Sequence, residues 1–139
     1  SSNVTSVVTG GLGLDSLDFN VNDNASISLT NVTGIELIDL KSANTTTQTL
    51  KINFDDVFNS DNKIIMVMGE PNDDSIILSQ TSATSGRGAV TWTQNNNAAM
   101  IYTPDNHYFN VWQGSDSNSL TSDVLLLLQQ NISVSQVAA

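Results

Sequence analysis

Apolar residues in this chain fall in short runs that alternate with polar ones, and Gly, Asn, Asp or Pro ends nearly every run. Ile27 and Leu29 alternate with Ser26 and Ser28, and Leu50 and Ile52 with Thr49 and Lys51. A two-residue period puts one face of an extended segment in a core and the other in water. Similar runs lie at Leu14 to Val21, Ile35 to Leu40, Ile64 to Met68, Ile76 to Leu78 and Val90 to Thr93. Others follow at Met100 to Tyr102, Tyr108 to Trp112, Val124 to Leu128 and Ile132 to Val134. About ten short strands separated by turn signals predict an all-β fold, a single β-sandwich or barrel-like domain. One short helix is expected near residues 53–58, with Asn53 as its N-cap and Asp55 and Asp56 placed well against the helix dipole. The sequence shows no repeat period and no internal linker. Residues 10–139 are therefore expected to form one domain, entered through an extended segment at residues 1–9.

Composition narrows the function classes. The chain has 139 residues and no cysteine, so disulfides and thiolate metal sites are excluded. Fourteen acidic residues face four basic ones, a formal charge of −10 that would repel nucleic acid. The longest apolar run, Val124 to Leu128, has the length of a strand and not of a membrane span. Five Asn-x-Ser/Thr sequons, at Asn3, Asn24, Asn31, Asn44 and Asn131, follow from the high Asn, Ser and Thr content alone.

The segment Gly10-Gly11-Leu12-Gly13-Leu14-Asp15-Ser16-Leu17-Asp18 is one full copy of the G-G-x-G-x-D-x-U-x pattern. In tandem, such repeats wind a parallel β-roll with calcium between adjacent turns. Glycines permit positive φ and expose carbonyl oxygens, and the Asp carboxylate adds a hard anionic ligand. The candidate calcium ligands are Asp15 and Asp18 together with Gly11 and Gly13, and a single copy offers about half a site.

Other candidates carry less chemistry. Asn20 to Asn24 alternate oxygen side chains, and Asn72, Asp73 and Asp74 follow Glu70 in a turn without the spacing of an EF-hand loop. Glu36 and Asp39 have odd separation and face opposite sides of a regular strand, which argues against a paired acid–base role. His107 is the only histidine, and no Gly-x-Ser-x-Gly nucleophile elbow accompanies it. Tyr108 and Trp112 share a strand face and are the candidate ligand-binding pair, suited to stacking on a sugar ring. Core packing is the commoner use of such aromatics and is expected for at least one of Trp92 and Trp112.

Taken in order, the motifs resemble a known family. They are Gly10 to Phe19, Gly34-Ile35-Glu36-Leu37-Ile38-Asp39-Leu40, Thr49-Leu50-Lys51-Ile52 before Asp56-Val57, Asp73-Asp74-Ser75-Ile76-Ile77-Leu78, Trp92, Tyr108 and a late apolar strand. The order is similar to a β-rich domain near the C-terminal ends of large RTX adhesins and biofilm proteins exported by type I secretion. The resemblance spans roughly residues 8–134. It implies an extracellular, cell-surface, calcium-associated structural or adhesion module without catalysis, partnered by neighbouring domains or subunits of the same protein. Leu14 departs from the Asn or Asp common at its position, and no second nonapeptide follows. Two alternatives stand beside this reading: a self-assembling filament or surface-layer subunit that donates a β-strand such as Val4 to Val8, and a carbohydrate-binding domain using Tyr108 and Trp112.

Overall fold

A computed structural model describes residues 2–3, 7–19, 25–40, 47–70, 73–80, 88–102, 107–118 and 123–138. The chain runs through three sheets in rotation, and each pass forms one turn of a coil. The first turn contributes β1 (Ser2–Asn3), β2 (Val8–Thr9) and β3 (Ser16–Asp18); the second contributes β4 (Ala25–Ser28), β5 (Val32–Thr33) and β6 (Leu37–Asp39). The third turn holds β7 (Gln48–Ile52), the helix α1 (Phe54–Phe58) and β8 (Ile64–Met68). The fourth starts at β9 (Ser75–Ser79), detours through a hairpin of β10 (Val90–Tyr102) and β11 (His107–Asp116), and returns at β12 (Val124–Gln129). A last strand, β13 (Ser133–Val137), follows a tight turn at Asn131, whose φ is 70°.

Strands stack in parallel on their counterparts one turn away. The first sheet has the order β1-β4-β7-β9-β13 and the third is the pair β2-β5. The second sheet stacks β3, β6, β8 and β12 in parallel and then adds β11 and β10 antiparallel. The register aligns like with like. Ile27 lies beside Leu50 and Leu50 beside Ile76 in the first sheet, and Leu17, Ile38, Val67 and Leu128 line up in the second. Apart from the half-buried Leu17, these aliphatics are buried and form columns through the core. Each of the first three turns takes roughly 20–30 residues, the period of a solenoid repeat, and the hairpin lengthens the fourth.

The expected all-β chain with one short helix is therefore present, but its connectivity is not that of an antiparallel sandwich or barrel. Alternation alone cannot distinguish a half-buried strand with an antiparallel neighbour from one stacked in parallel on the next turn. A repeat also exists where none was expected. Val8-Thr9-Gly10 aligns with Val32-Thr33-Gly34, and Leu17-Asp18 with Ile38-Asp39. The insertion of Gly11-Leu12-Gly13 in the first turn, after which Leu14 to Asp18 matches Ile35 to Asp39, hides the repeat. Thirteen strands occur among the described residues instead of about ten. Val90 to Tyr102 is one strand with a register shift between Asn95 and Ala99, where two strands and a loop were expected. At the N-terminus, Ser2–Asn3 pairs with β4 and Val8–Thr9 with β5, so these parts of the segment at residues 1–9 belong to the coil. Residues 4–6 of the expected donor strand lie outside the described residues, as do 20–24.

Helix α1 takes the place in chain order that β2 and β5 hold in the earlier turns. Asn53 accepts from the Asp56 N–H at 2.9 Å, and the Asp56 carboxylate accepts from the Asn53 N–H at 2.9 Å, a reciprocal capping box. The helix turns Phe54 and Val57 into the core, where Phe54 meets the Trp92 ring at a centroid distance of 6.4 Å. Trp92 in turn donates its indole N–H to the Ser79 carbonyl at 2.8 Å and leaves no room for a side chain at Gly114. Gln136 donates to the Trp92 carbonyl, so the hairpin is strapped to β9 and β13.

Burial raises the Asp56 pKa to about 6, an effect its hydrogen bond from Asn53 opposes and the Asp55 charge reinforces. A folded pKa above the unfolded one means that its stabilising contribution is full below about pH 4 and is lost as pH rises through about 6. Asp56→Asn keeps an oxygen for the cap and removes the charge. Chemical denaturation from pH 4 to 7 should show the wild-type losing ~1–3 kcal/mol relative to Asp56→Asn. Parallel pH profiles would contradict the assignment.

Candidate functional site

The glycine-rich corner of the first turn is built against the second. Gly10 donates its N–H to the Thr33 carbonyl at 2.9 Å. A Cβ at Gly10 would lie 1.7 Å from the Gly34 carbonyl oxygen, so the two backbones meet where only glycine fits. Gly34 and Gly13 have φ of 65° and 114°, the left-handed region that glycine enters without strain. Asp15 closes the corner. Its Oδ2 accepts the Gly11 N–H at 2.8 Å, and its carbonyl accepts the N–H groups of Glu36 and Leu37, each at 3.1 Å. Its own N–H donates to Glu36 Oε2 at 3.0 Å. Glu36, buried in the second turn, is thus tied to the first turn by its backbone and its carboxylate.

Of the four expected calcium ligands, Gly11, Gly13 and Asp15 share this corner and Asp18 does not. Asp18 sits at the far end of β3, about 10 Å along the strand, in register with Asp39 of β6. Asp15 and Glu36 are the two carboxylates at the corner, and each already accepts a backbone N–H. No three acidic, His or Cys side chains converge among the described residues. Calcium takes about 6–8 oxygens. The corner alone therefore fits a calcium ion only in part.

The aromatic pair is not an open platform. Tyr108 is 53% exposed, whereas Trp112 is half-buried and packs against the core with its indole N–H buried and unpartnered. Trp92 is a core residue, as expected for at least one of the two tryptophans, and Phe109 is fully buried. The His107 side chain and the turn at residues 103–106 lie outside the described residues.

Asp74 is buried and braces two turns. Its Oδ1 accepts the Gln48 N–H at 2.8 Å and its Oδ2 accepts the Glu70 N–H at 2.7 Å, while Asp73 and Asp74 donate N–H bonds to the Glu70 carbonyl. This carboxylate holds backbone, and Asn72 of the same expected cluster lies outside the described residues. Sequence reasoning did not find the groove beside the glycine corner. A shallow depression of about 570 Å³ between Leu12, Gly13, Leu14, Glu36 and Asn62 adjoins an apolar niche of about 190 Å³. Ile64, Met66 and Leu127 line the niche from the outer face of the second sheet. The niche is smaller than the ~300 Å³ at which small-molecule sites begin. Its one legible signal was Leu12 and Leu14, apolar residues placed in a glycine turn.

The chain matches no protein-family model, no curated protein and no solved structure.

The Gly10–Gly34 contact predicts a sharp effect from one methyl group. Gly10→Ala should cost ~2–4 kcal/mol in urea unfolding, because backbone on both sides must move. A change below ~0.5 kcal/mol, the range of a neutral surface substitution, would show that the two turns do not meet there.

Proposed function

We propose that the chain is an extracellular structural or adhesion module of a bacterial surface protein, associated with calcium and without catalysis. The observation that carries this reading is the use to which four buried or half-buried carboxylates are put. Asp15, Glu36, Asp56 and Asp74 each accept a backbone N–H, and all but Asp56, within its helix cap, act at corners of the coil. They brace the backbone, within a turn at Gly11 and Glu70 and between turns at Asp15 and Gln48. A stack of turns transmits load from one neighbour to the next and gains stability turn by turn, which suits a spacer in a long surface protein. The neutral-polar, acidic surface and the resemblance to RTX adhesin domains support the same assignment.

Strand donation would require Ser2–Asn3 and Val8–Thr9 to leave their present partners β4 and β5. Sugar stacking on both aromatics would require Trp112 to leave the core. The module reading needs neither.

Calcium enters as an accessory at the glycine corner, with Asp15 and Glu36 as the side-chain oxygens nearest to it. A ligand that binds the native state alone adds about 2.7 kcal/mol at a hundredfold excess over Kd. Calorimetric melts in millimolar calcium and in chelator should differ, and Asp15→Ala should remove most of the difference. Identical midpoints for the wild type would remove calcium from the proposal.

A further inference from the structure

All three strands of the first turn are sheet edges. Among the described residues β1, β2 and β3 pair on one side only, with β4, β5 and β6, whereas the opposite end of the second sheet carries the antiparallel hairpin β11-β10. Val8 and Gly10 donate their N–H groups to Asn31 and Thr33 in the second turn. By strand alternation the Thr9 N–H points to the free side. Phe19 donates to the Asp39 carbonyl, so the Asp18 N–H points to the free side as well. A parallel edge left open in this way is a template for another strand.

Two further observations fall on the same turn. The described residues have four exposed large apolar side chains, and three of them are on this turn: Val7 at 79%, and Leu12 at 102% and Leu14 at 71%, which also border the groove beside Asn62. The other is Gly11, a glycine with no internal reason to be one. A Cβ there would meet no heavy atom within 4 Å, and its φ lies outside the left-handed region. Gly10, its neighbour, is glycine because the backbone of the adjacent turn arrives at Gly34. No contact among the described residues imposes such a requirement at Gly11.

We infer that the first turn is a docking face for one more turn of parallel β-coil, supplied by polypeptide that leads into β1 from its N-terminal side. This rests on the reading of the chain as a module of a longer protein and identifies its neighbour. The interface is a continuation of the turn-on-turn stacking that already joins β1 to β4, β2 to β5 and β3 to β6. The coil advances from β1 toward β13, so a chain entering β1 in the same sense passes across the free edges. The far end of a second copy presents β13 and the hairpin strand β10, with no described strand of the third sheet to meet β2. It does not reproduce a turn.

The test appends a turn to the existing chain. One protein carries a duplicate of residues 1–24 before Ser1, and another carries a duplicate of residues 25–47. Hydrogen exchange is followed in chelator, so that the outcome is independent of calcium and of the adhesion reading. At least one extension should slow exchange at the Thr9 and Asp18 amides tenfold or more. Gly11→Ala should leave the urea midpoint of the unextended protein unchanged and abolish the protection in the extended one. Unprotected Thr9 and Asp18 in both extensions would overturn the proposal, as would an equal effect of Gly11→Ala in extended and unextended proteins. So would a dimer of the unextended protein in sedimentation that Leu12→Ser dissolves, since the occupant would then be a second copy.

Discussion

The fold depends on parallel, in-register contact between consecutive turns. Strands about 4.8 Å apart place each inward side chain directly against its counterpart in the next turn, so each column must be filled with residues that tolerate like neighbours. Aliphatics do so, and Ile27, Leu50 and Ile76 form one such column. Where the path bends, backbone meets backbone, and Gly10 against Gly34 is the tightest of these meetings. The hairpin, the helix and the glycine corner are all fitted to this stack.

Electrostatics follows from the same geometry. A coil exposes corner N–H groups that no strand partner satisfies, and leaving such a group buried costs about 1–3 kcal/mol. Asp15 and Glu36 meet that demand at the glycine corner, and Asp74 meets it at the corner between Glu70 and β9. Negative charge is thereby fixed where the backbone offers partial positive charge. The in-register pair Asp18 and Asp39 shows the converse: like charges repeat along the stack because the sequence motif does, and cross-strand repulsion works against them. A calcium ion near the glycine corner would add to bracing that Asp15 and Glu36 already supply.

Much of this was legible in the residues, and what was not has definite causes. Alternation at Ile27 to Leu29 and Leu50 to Ile52 marked strands correctly, and Asn53 with Asp56 marked the helix, because both signals are local. Parallel stacking is non-local. Its signature, Val-Thr-Gly recurring before a Leu/Ile-Asp pair, was masked by the insertion of Gly11 to Gly13 and by the long hairpin in the fourth turn. At the candidate site, the pattern located Asp15 but grouped Asp18 with it, because a repeat motif does not state which oxygens converge within one turn. Glu36 was dismissed by its spacing from Asp39, although its partner is Asp15 in the neighbouring turn.

The stacking of first turn on second is testable by covalent trapping, because the chain has no cysteine of its own. Thr9 and Thr33 are exposed register partners in β2 and β5, within the ~4.4–6.8 Å Cα separation that a disulfide spans. The double variant Thr9→Cys, Thr33→Cys should oxidise to an intramolecular disulfide, with an unchanged far-ultraviolet spectrum and a raised unfolding midpoint. A protein that stays reduced as a folded monomer, or that links only between molecules, would contradict the parallel coil.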